Sequence, residues 1–248
     1  MPIDATAGAD WIPRATDREM GVLAARPIEP YRPVATVATL NRILDRSAFA
    51  TYGPALEYLS CHLPEIMARK IPAANIQQAF VLDTVMRLAP SGRQPALLCV
   101  GSYEDTAAGA IAISGLGLDE VDPVINYDLS TFMTKPSCKR GSYDVVFATS
   151  VLEHIADDEG FLKHFEELLA PGGYGVLTCD FNDNYRSGDP LPVEDRRLYT
   201  ERDLQERLMP LLRRCELVDT PSWQCDEPDF VYGGCRYTFA SLVFRKLG

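Results

Sequence analysis

The spacing of apolar residues changes character near residue 90. From Val34 to Leu88 they recur at helical intervals, with Val37, Leu40, Ile43 and Leu44 in one group and Phe80, Leu82, Val85, Met86 and Leu88 in another. Pro54, Pro64 and Pro72 divide this region into several helices. Residues 1–33 carry five prolines (Pro2, Pro13, Pro27, Pro30 and Pro33) and little periodicity, which predicts an extended arm. After the turn-rich "APSGRQ" (Ala89–Gln94) short strand-like runs alternate with helical ones. "ALLCV" (Ala96–Val100) and "YDVVFATS" (Tyr143–Ser150) read as strands buried on both faces. "EDTAAGAIAIS" (Glu104–Ser114) reads as a helix with acidic residues in its first turn. "DDEGFLKHFEELLA" (Asp157–Ala170) sets Phe161, Leu162, Phe165, Leu168 and Leu169 on one helical face. "PGG" (Pro171–Gly173) is expected to close that helix, and "YGVLTCDF" (Tyr174–Phe181) to form the next strand. A helical "TERDLQERLMPLL" and two strands, in "CELVDTPSW" and "YTFASLVFRK", complete the chain.

Repeated strand, helix, strand units require right-handed crossovers, so an α/β fold is expected, with a mostly parallel sheet and helices on both faces. Ligands of such sheets bind beyond the carboxyl ends of the strands, which places the chemistry just after Val100, Val121, Ser150 and Cys179. Two regions are expected: an N-terminal arm and helical extension over 1–90, and a domain over 91–248. The extension suits either a lid over the site or a contact between two subunits of a homodimer.

Composition narrows the function classes. The 248 residues carry 35 acidic and 24 basic side chains, a formal charge of −11, which argues against a nucleic-acid partner. No window approaches a membrane span, and the first residues have neither a basic start nor an apolar segment, so no signal peptide and no membrane span are expected; cysteine usage fits a reducing cytoplasm best. Seven cysteines without a C-x-x-C pair suggest neither a zinc ribbon nor a disulfide framework; no metal ligand set is expected.

"LLCVG", an acid about twenty residues later in "GLDEVDP", and the run "YDVVFATSVLEHIADDEGFLKHFEELLAPGGYGVLTCDF" together resemble the class I S-adenosylmethionine-dependent methyltransferases over residues 95–248. The resemblance implies a Rossmann-like, seven-stranded sheet, with S-adenosylmethionine as cofactor and S-adenosylhomocysteine as its product. It places the cofactor against Gly101, Ser102, Tyr103, Glu104, Asp105, Asp122, Asp128, Ser150 and Val151. Gly101 matches the first glycine of the family's turn, whereas Tyr103 and Asp105 stand at the next two glycine positions and Cys99 replaces the usual strand acid. Glu104 or Asp105 could then recognise the cofactor's ammonium group; the alternative is that both merely cap the following helix. Asp122 is expected on the ribose hydroxyls. Asp128 suits either the adenine amino group or a plain turn. "NYDLSTF" (Asn126–Phe132) is expected to serve as an abbreviated crossover and strand.

His154 is the one histidine of three at a strand's carboxyl end, where it could act as a base; equally, Glu153 and His154 could be architectural. The polar "CDFNDNYRSGD" (Cys179–Asp189) brings Asp180 and Asp183 as further catalytic candidates, beside Asn182, Asn184, Tyr185 and Arg186. Such groups suit a hydroxylated acceptor, and their oxygens are also compatible with Mg²⁺. Trp223, Phe230, Tyr232 and Tyr237 could stack on sugar rings or simply cover the sheet. The expected function is methyl transfer to a hydroxyl of a small molecule or saccharide. The alternative is a noncatalytic binding protein that retains the fold; a nicotinamide-dependent oxidoreductase is disfavoured because the acids of "SYEDT" would repel a pyrophosphate.

Overall fold

The computed structural model describes residues 28–33 and 36–248. Most of the expected N-terminal arm therefore lies outside the described residues. Its last part, 28–33, packs on the body: Tyr31 is buried and its hydroxyl donates to Asp83 at 3.0 Å.

A seven-stranded sheet organises the chain in the order β2-β1-β3-β4-β7-β5, with β6 pairing β7. β1 (Leu97–Val100), β2 (Leu118–Val121), β3 (Tyr143–Thr149) and β4 (Leu169–Phe181) are mutually parallel. β5 (Cys215–Leu217), β6 (Phe230–Tyr232) and β7 (Cys235–Lys246) add antiparallel pairings at the far side. Alternation along β1 explains the layers. Leu97 and Cys99 face one core, shared with α1 (Ala48–His62), α3 (Asn75–Leu88) and α4 (Thr106–Ile113). Leu98 and Val100 face the other, shared with α5 (Leu129–Phe132) and α6 (Asp158–Leu168). The short α2 (Pro64–Arg69) follows α1 and leads, through a turn at Pro72–Ala74, into α3. The fold is Rossmann-like α/β, and α1 and α3 share the core on one face of its sheet.

Three local expectations give way. The segment holding Leu40, Ile43 and Leu44 is not helical: it lies extended along the middle of β7, between the stretches paired with β5 and β6. Asn41, fully buried, donates through Nδ2 to Val243 O at 3.0 Å and accepts from Val243 N at 2.7 Å, and Leu44 N donates to Phe239 O. Satisfying an otherwise open strand edge outweighs a short helical period. Between β2 and β3 there is no strand over Asn126–Phe132. Asp128 instead caps the single turn α5, with Oδ1 accepting from Thr131 N at 2.9 Å and Oδ2 from Thr131 Oγ1 at 2.7 Å. Finally, "PGG" does not end α6 from outside but lies within β4, where the pairing with β3 shifts register. Gly172 has φ +80°, and a Cβ on Gly173 would fall 2.7 Å from Tyr143 O, so this bulge needs both glycines.

Candidate functional site

The carboxyl ends of β1, β2 and β3 open into a cavity of about 1020 Å³. Gly101 leaves β1 at φ +79°, and a Cβ there would meet Val151 Cγ2 at 2.4 Å, so both conformation and space select glycine. Its N–H donates to Val121 O at 2.8 Å. Asp122, just past β2, accepts from Tyr103 N at 3.0 Å on Oδ2 and from Val124 N at 2.8 Å on Oδ1. A single buried carboxylate thus ties the β1 loop to the β2 loop. Asp105 caps α4, accepting from Ala108 N at 2.7 Å. Burial holds its carboxyl above the usual aspartate range, opposed by that amide and by the nearby Lys70 charge. Glu104, at φ +57°, pairs with Arg69 at 3.0 Å.

The wall opposite the sheet comes from the N-terminal helices. Arg69, Lys70, Ile71, Ala74, Gln77 and Gln78 all line the cavity. Gln78 Oε1 accepts from Thr106 Oγ1 at 2.9 Å and Ala107 N at 3.0 Å, while its Nε2 donates to Asp105 Oδ2 at 3.3 Å. Gln77 Nε2 donates to Ser150 Oγ at 3.3 Å, and Gln77 Oε1 is buried without a partner. Sequence reasoning passes over these residues. The signal that marks them is a pair of adjacent amides between the apolar Ile76 and the apolar run Ala79–Leu82, because buried amides demand partners.

Ser150 follows β3 at φ +54°. Its N–H donates to Thr178 O at 3.2 Å and Thr178 Oγ1 at 3.1 Å, and its Oγ donates to Glu153 Oε1 at 2.7 Å. Glu153 is fully buried in the turn Leu152–His154. His154 Nδ1 lies 3.3 Å from Asp195 Oδ1 and 3.3 Å from Glu194 O, and its ring remains partly exposed. The 194–199 segment is pinned from below: Arg196 N donates to Glu153 O at 2.9 Å, and Tyr199 Oη donates to Asp158 Oδ2 at 2.8 Å. Glu104, Ser150 and Glu194 are the non-glycine residues with positive φ among the described residues, and all three line this cavity. Backbone strain of this kind persists where surrounding structure enforces it, commonly at functional sites.

Of the residues singled out from sequence, Gly101, Tyr103, Glu104, Asp105, Asp122, Asp128, Ser150, Val151 and His154 line the cavity together. Ser102 is buried beside them, with Oγ lacking a partner. Asp180 lies behind the cavity, buried against Glu153 and Asp195. Asp183 turns elsewhere, accepting from Glu201 N at 2.9 Å. Tyr232 alone of the four aromatic candidates reaches the cavity, 44% exposed at its mouth. Trp223 is fully buried and donates to Ser241 O, while Phe230 and Tyr237 pack edge to face at 4.9 Å. Among the described residues, no group of three or more His, Cys, Asp or Glu is arranged to hold a metal ion, and no helix is long and apolar enough to cross a membrane.

Comparison with known proteins gives this geometry a family. A family model described as a methyltransferase domain matches residues 73–229. Among solved structures, 1,6-didemethyltoxoflavin-N1-methyltransferase from Burkholderia thailandensis, with bound 1,6-didemethyltoxoflavin and S-adenosylhomocysteine, is 17% identical. The match covers 92% of this chain and 98% of that one, with a TM-score of 0.48. The cyclase SpnF is 18% identical over 77% of this chain and 94% of that one, with a TM-score of 0.46. The chain belongs to the methyltransferase-domain family and is an S-adenosylmethionine-dependent methyltransferase. Its residues fit that cofactor: a glycine turn with no room for a Cβ, an orphaned Ser102 hydroxyl, buried carboxylates at the ends of both flanking loops, and Lys70 on the facing wall.

Proposed function

We propose that this methyltransferase acts on a hydroxyl of a small, neutral acceptor, with a saccharide the best fit. The observation that carries this reading is the charge of the cavity wall. Beyond Asp105, Asp122 and Asp128, which the cofactor would engage together with Lys70, the wall keeps Asp157 and Glu194, while Arg69 is already paired with Glu104. A phosphorylated or carboxylated acceptor would be repelled by such a wall, whereas a neutral polyol would find acceptors for its hydroxyl protons. Tyr232 adds an aromatic face at the mouth on which a sugar ring could stack.

When bound, S-adenosylmethionine supplies a methyl group on a cationic sulfur. Asp122 is assigned to the ribose hydroxyls, since each of its oxygens already holds a backbone amide and keeps a further lone pair. Asp105 suits the ammonium group and Lys70 the carboxylate of the methionine portion. Asp128 and the α5 turn remain for the adenine edge. Of the two roles open to the extension over 1–90, closing the site is the one supported, because residues 69–78 contribute a wall of the cavity beside the 91–248 region. The neutral-acceptor reading fits an enzyme of glycan or small-molecule modification.

A transfer assay with methyl-labelled cofactor tests the reading. Neutral sugars and polyols are offered beside their phosphorylated counterparts. Label entering a neutral hydroxyl, with the phosphorylated forms inert, supports it. Label entering only anionic or nitrogen acceptors overturns it.

A further inference from the structure

The cavity connects to a buried row of protonatable groups that cofactor binding does not use. Ser150 Oγ lines the cavity and donates to Glu153 Oε1 at 2.7 Å. Asp180, 5% exposed, is buried close enough to Glu153 and Asp195 for their carboxyls to raise it, and Tyr237 is near enough to feel its charge. Asp195 Oδ1 lies 3.3 Å from His154 Nδ1, whose side chain is 41% exposed. Ionised carboxylates only accept hydrogen bonds, so three carboxyls buried together without other donors favour a proton held among them. Glu153 Oε2, Asp180 Oδ1 and Asp195 Oδ2 have no other donor.

A separate observation places a ligand group at the inner end. Gln77, 2% exposed, is fixed by its Nε2 bond to Ser150 Oγ, and its Oε1 is buried at the cavity wall without a partner. That oxygen awaits a donor from whatever sits against Ser150. Ser150 Oγ, donating one bond and accepting one, keeps one lone pair for the same group.

Resting on the methyltransferase reading, we propose that Ser150, Glu153, Asp180, Asp195 and His154 form a proton exit from the acceptor's position to solvent. A neutral O–H acceptor that gains a methyl group must lose one proton. Ser150 Oγ takes that proton while passing its own to Glu153 Oε1. Glu153 is therefore the base and Ser150 the group that touches the acceptor. The carboxyls of Asp180 and Asp195 then shift a proton outward, and His154 exchanges it with water. Nothing is oxidised, and the number of protons leaving equals the number of methyl groups gained. Sequence alone sets His154 or Asp180 singly at the acceptor; the buried row instead joins them as its outer and middle members.

Burial, followed by the neighbouring charge of Glu153, pushes Asp195 up to about 6, and the same causes hold Asp180 well above the carboxylate range. The other groups facing this row are Glu194 from the loop and Cys179 and Tyr237 from the sheet. All are acidic or neutral, so a cation entering the cavity is the event that would draw protons out.

The test uses the two forms of the cofactor, which differ by one positive charge. Calorimetric titration near pH 6, in buffers of different ionisation enthalpy, counts protons released on binding each form. Release by S-adenosylmethionine should exceed that by S-adenosylhomocysteine by up to about half a proton, because a group with its midpoint there is half protonated. In Glu153→Gln the excess should vanish. If that variant does not fold, Asp195→Asn at the outer end should lose the excess equally. Equal proton counts for the two ligands in the wild type, or an excess that survives in the variants, would overturn the proton exit while leaving the methyltransferase reading intact. Binding of neither ligand would overturn both.

Discussion

Gln78 closes a three-point clamp on the start of α4: its amide accepts from Thr106 and Ala107 and donates to the Asp105 carboxylate. One side chain from the N-terminal helices thus satisfies an orphan amide of a helix terminus and the hydroxyl beside it, and orients the acid that caps it. Gln78→Ala leaves those groups buried and unpaired, which should cost roughly 1–3 kcal/mol of stability. Denaturant unfolding measures it. Gln78→Glu should be costly too, because it sets a second carboxylate against Asp105.

The turn after β1 yields a prediction with an internal control. Gly101→Ala suffers both a positive φ and a clash with Val151 Cγ2 at 2.4 Å. Adding Val151→Ala removes the clash but leaves the backbone strain, about 1–2 kcal/mol for a non-glycine residue in that region. The double variant should therefore unfold at a higher temperature than Gly101→Ala but below Val151→Ala. Full recovery would mean that conformation does not select glycine here.

How much of this is legible in the sequence follows from the kind of signal each feature leaves. β1, β3, β4 and α6 are readable because a continuous apolar run beside a turn, or five apolar residues on one face, has few other homes. The β7 edge is not, since Leu40, Ile43 and Leu44 keep a helical period while Asn41 fixes them extended through bonds to a residue 202 positions away. Loop acids at the strand ends follow from fold geometry and the family resemblance, and Asp122 and Asp105 do line the cavity. Gln77 and Gln78 escape notice because their partners, Ser150 and Asp105, are distant in sequence. Asp183 is indistinguishable from a site residue by composition, and only its bond to Glu201 N turns it away.

The buried acid row predicts an unusual dependence of stability on pH. Asp195 is raised from 3.8 to about 6. Between those values the folded protein holds a proton that the unfolded chain has released, so stability falls as pH rises through that window and the full penalty stands above it. Asp195→Asn should flatten this fall and unfold at an equal or higher temperature than wild type at neutral pH. Melting curves across mildly acidic to neutral buffers decide it; a steeper fall in the variant would contradict the assignment.

Asp144 sets the opposite trend at the other end of the sheet. Held below the usual aspartate range by the Arg93 guanidinium, its carboxylate favours folding above 3.8 and loses that contribution as pH falls through its lowered value. Arg93→Gln should raise the pH at which acid unfolding begins. An unchanged acid transition would show the pair to be energetically silent, as many exposed pairs are.

The altered turn "GSYED", with one family glycine and two acids, is assigned to hold the cofactor between β1, β2 and the N-terminal wall, and every step of the chemistry depends on that assignment. Calorimetric titration of the purified chain with S-adenosylhomocysteine tests it most directly. Saturable binding in the micromolar range is expected, weakened at least about tenfold, or 1.4 kcal/mol, in Asp122→Ala. No heat of binding from well-folded wild-type protein would contradict it.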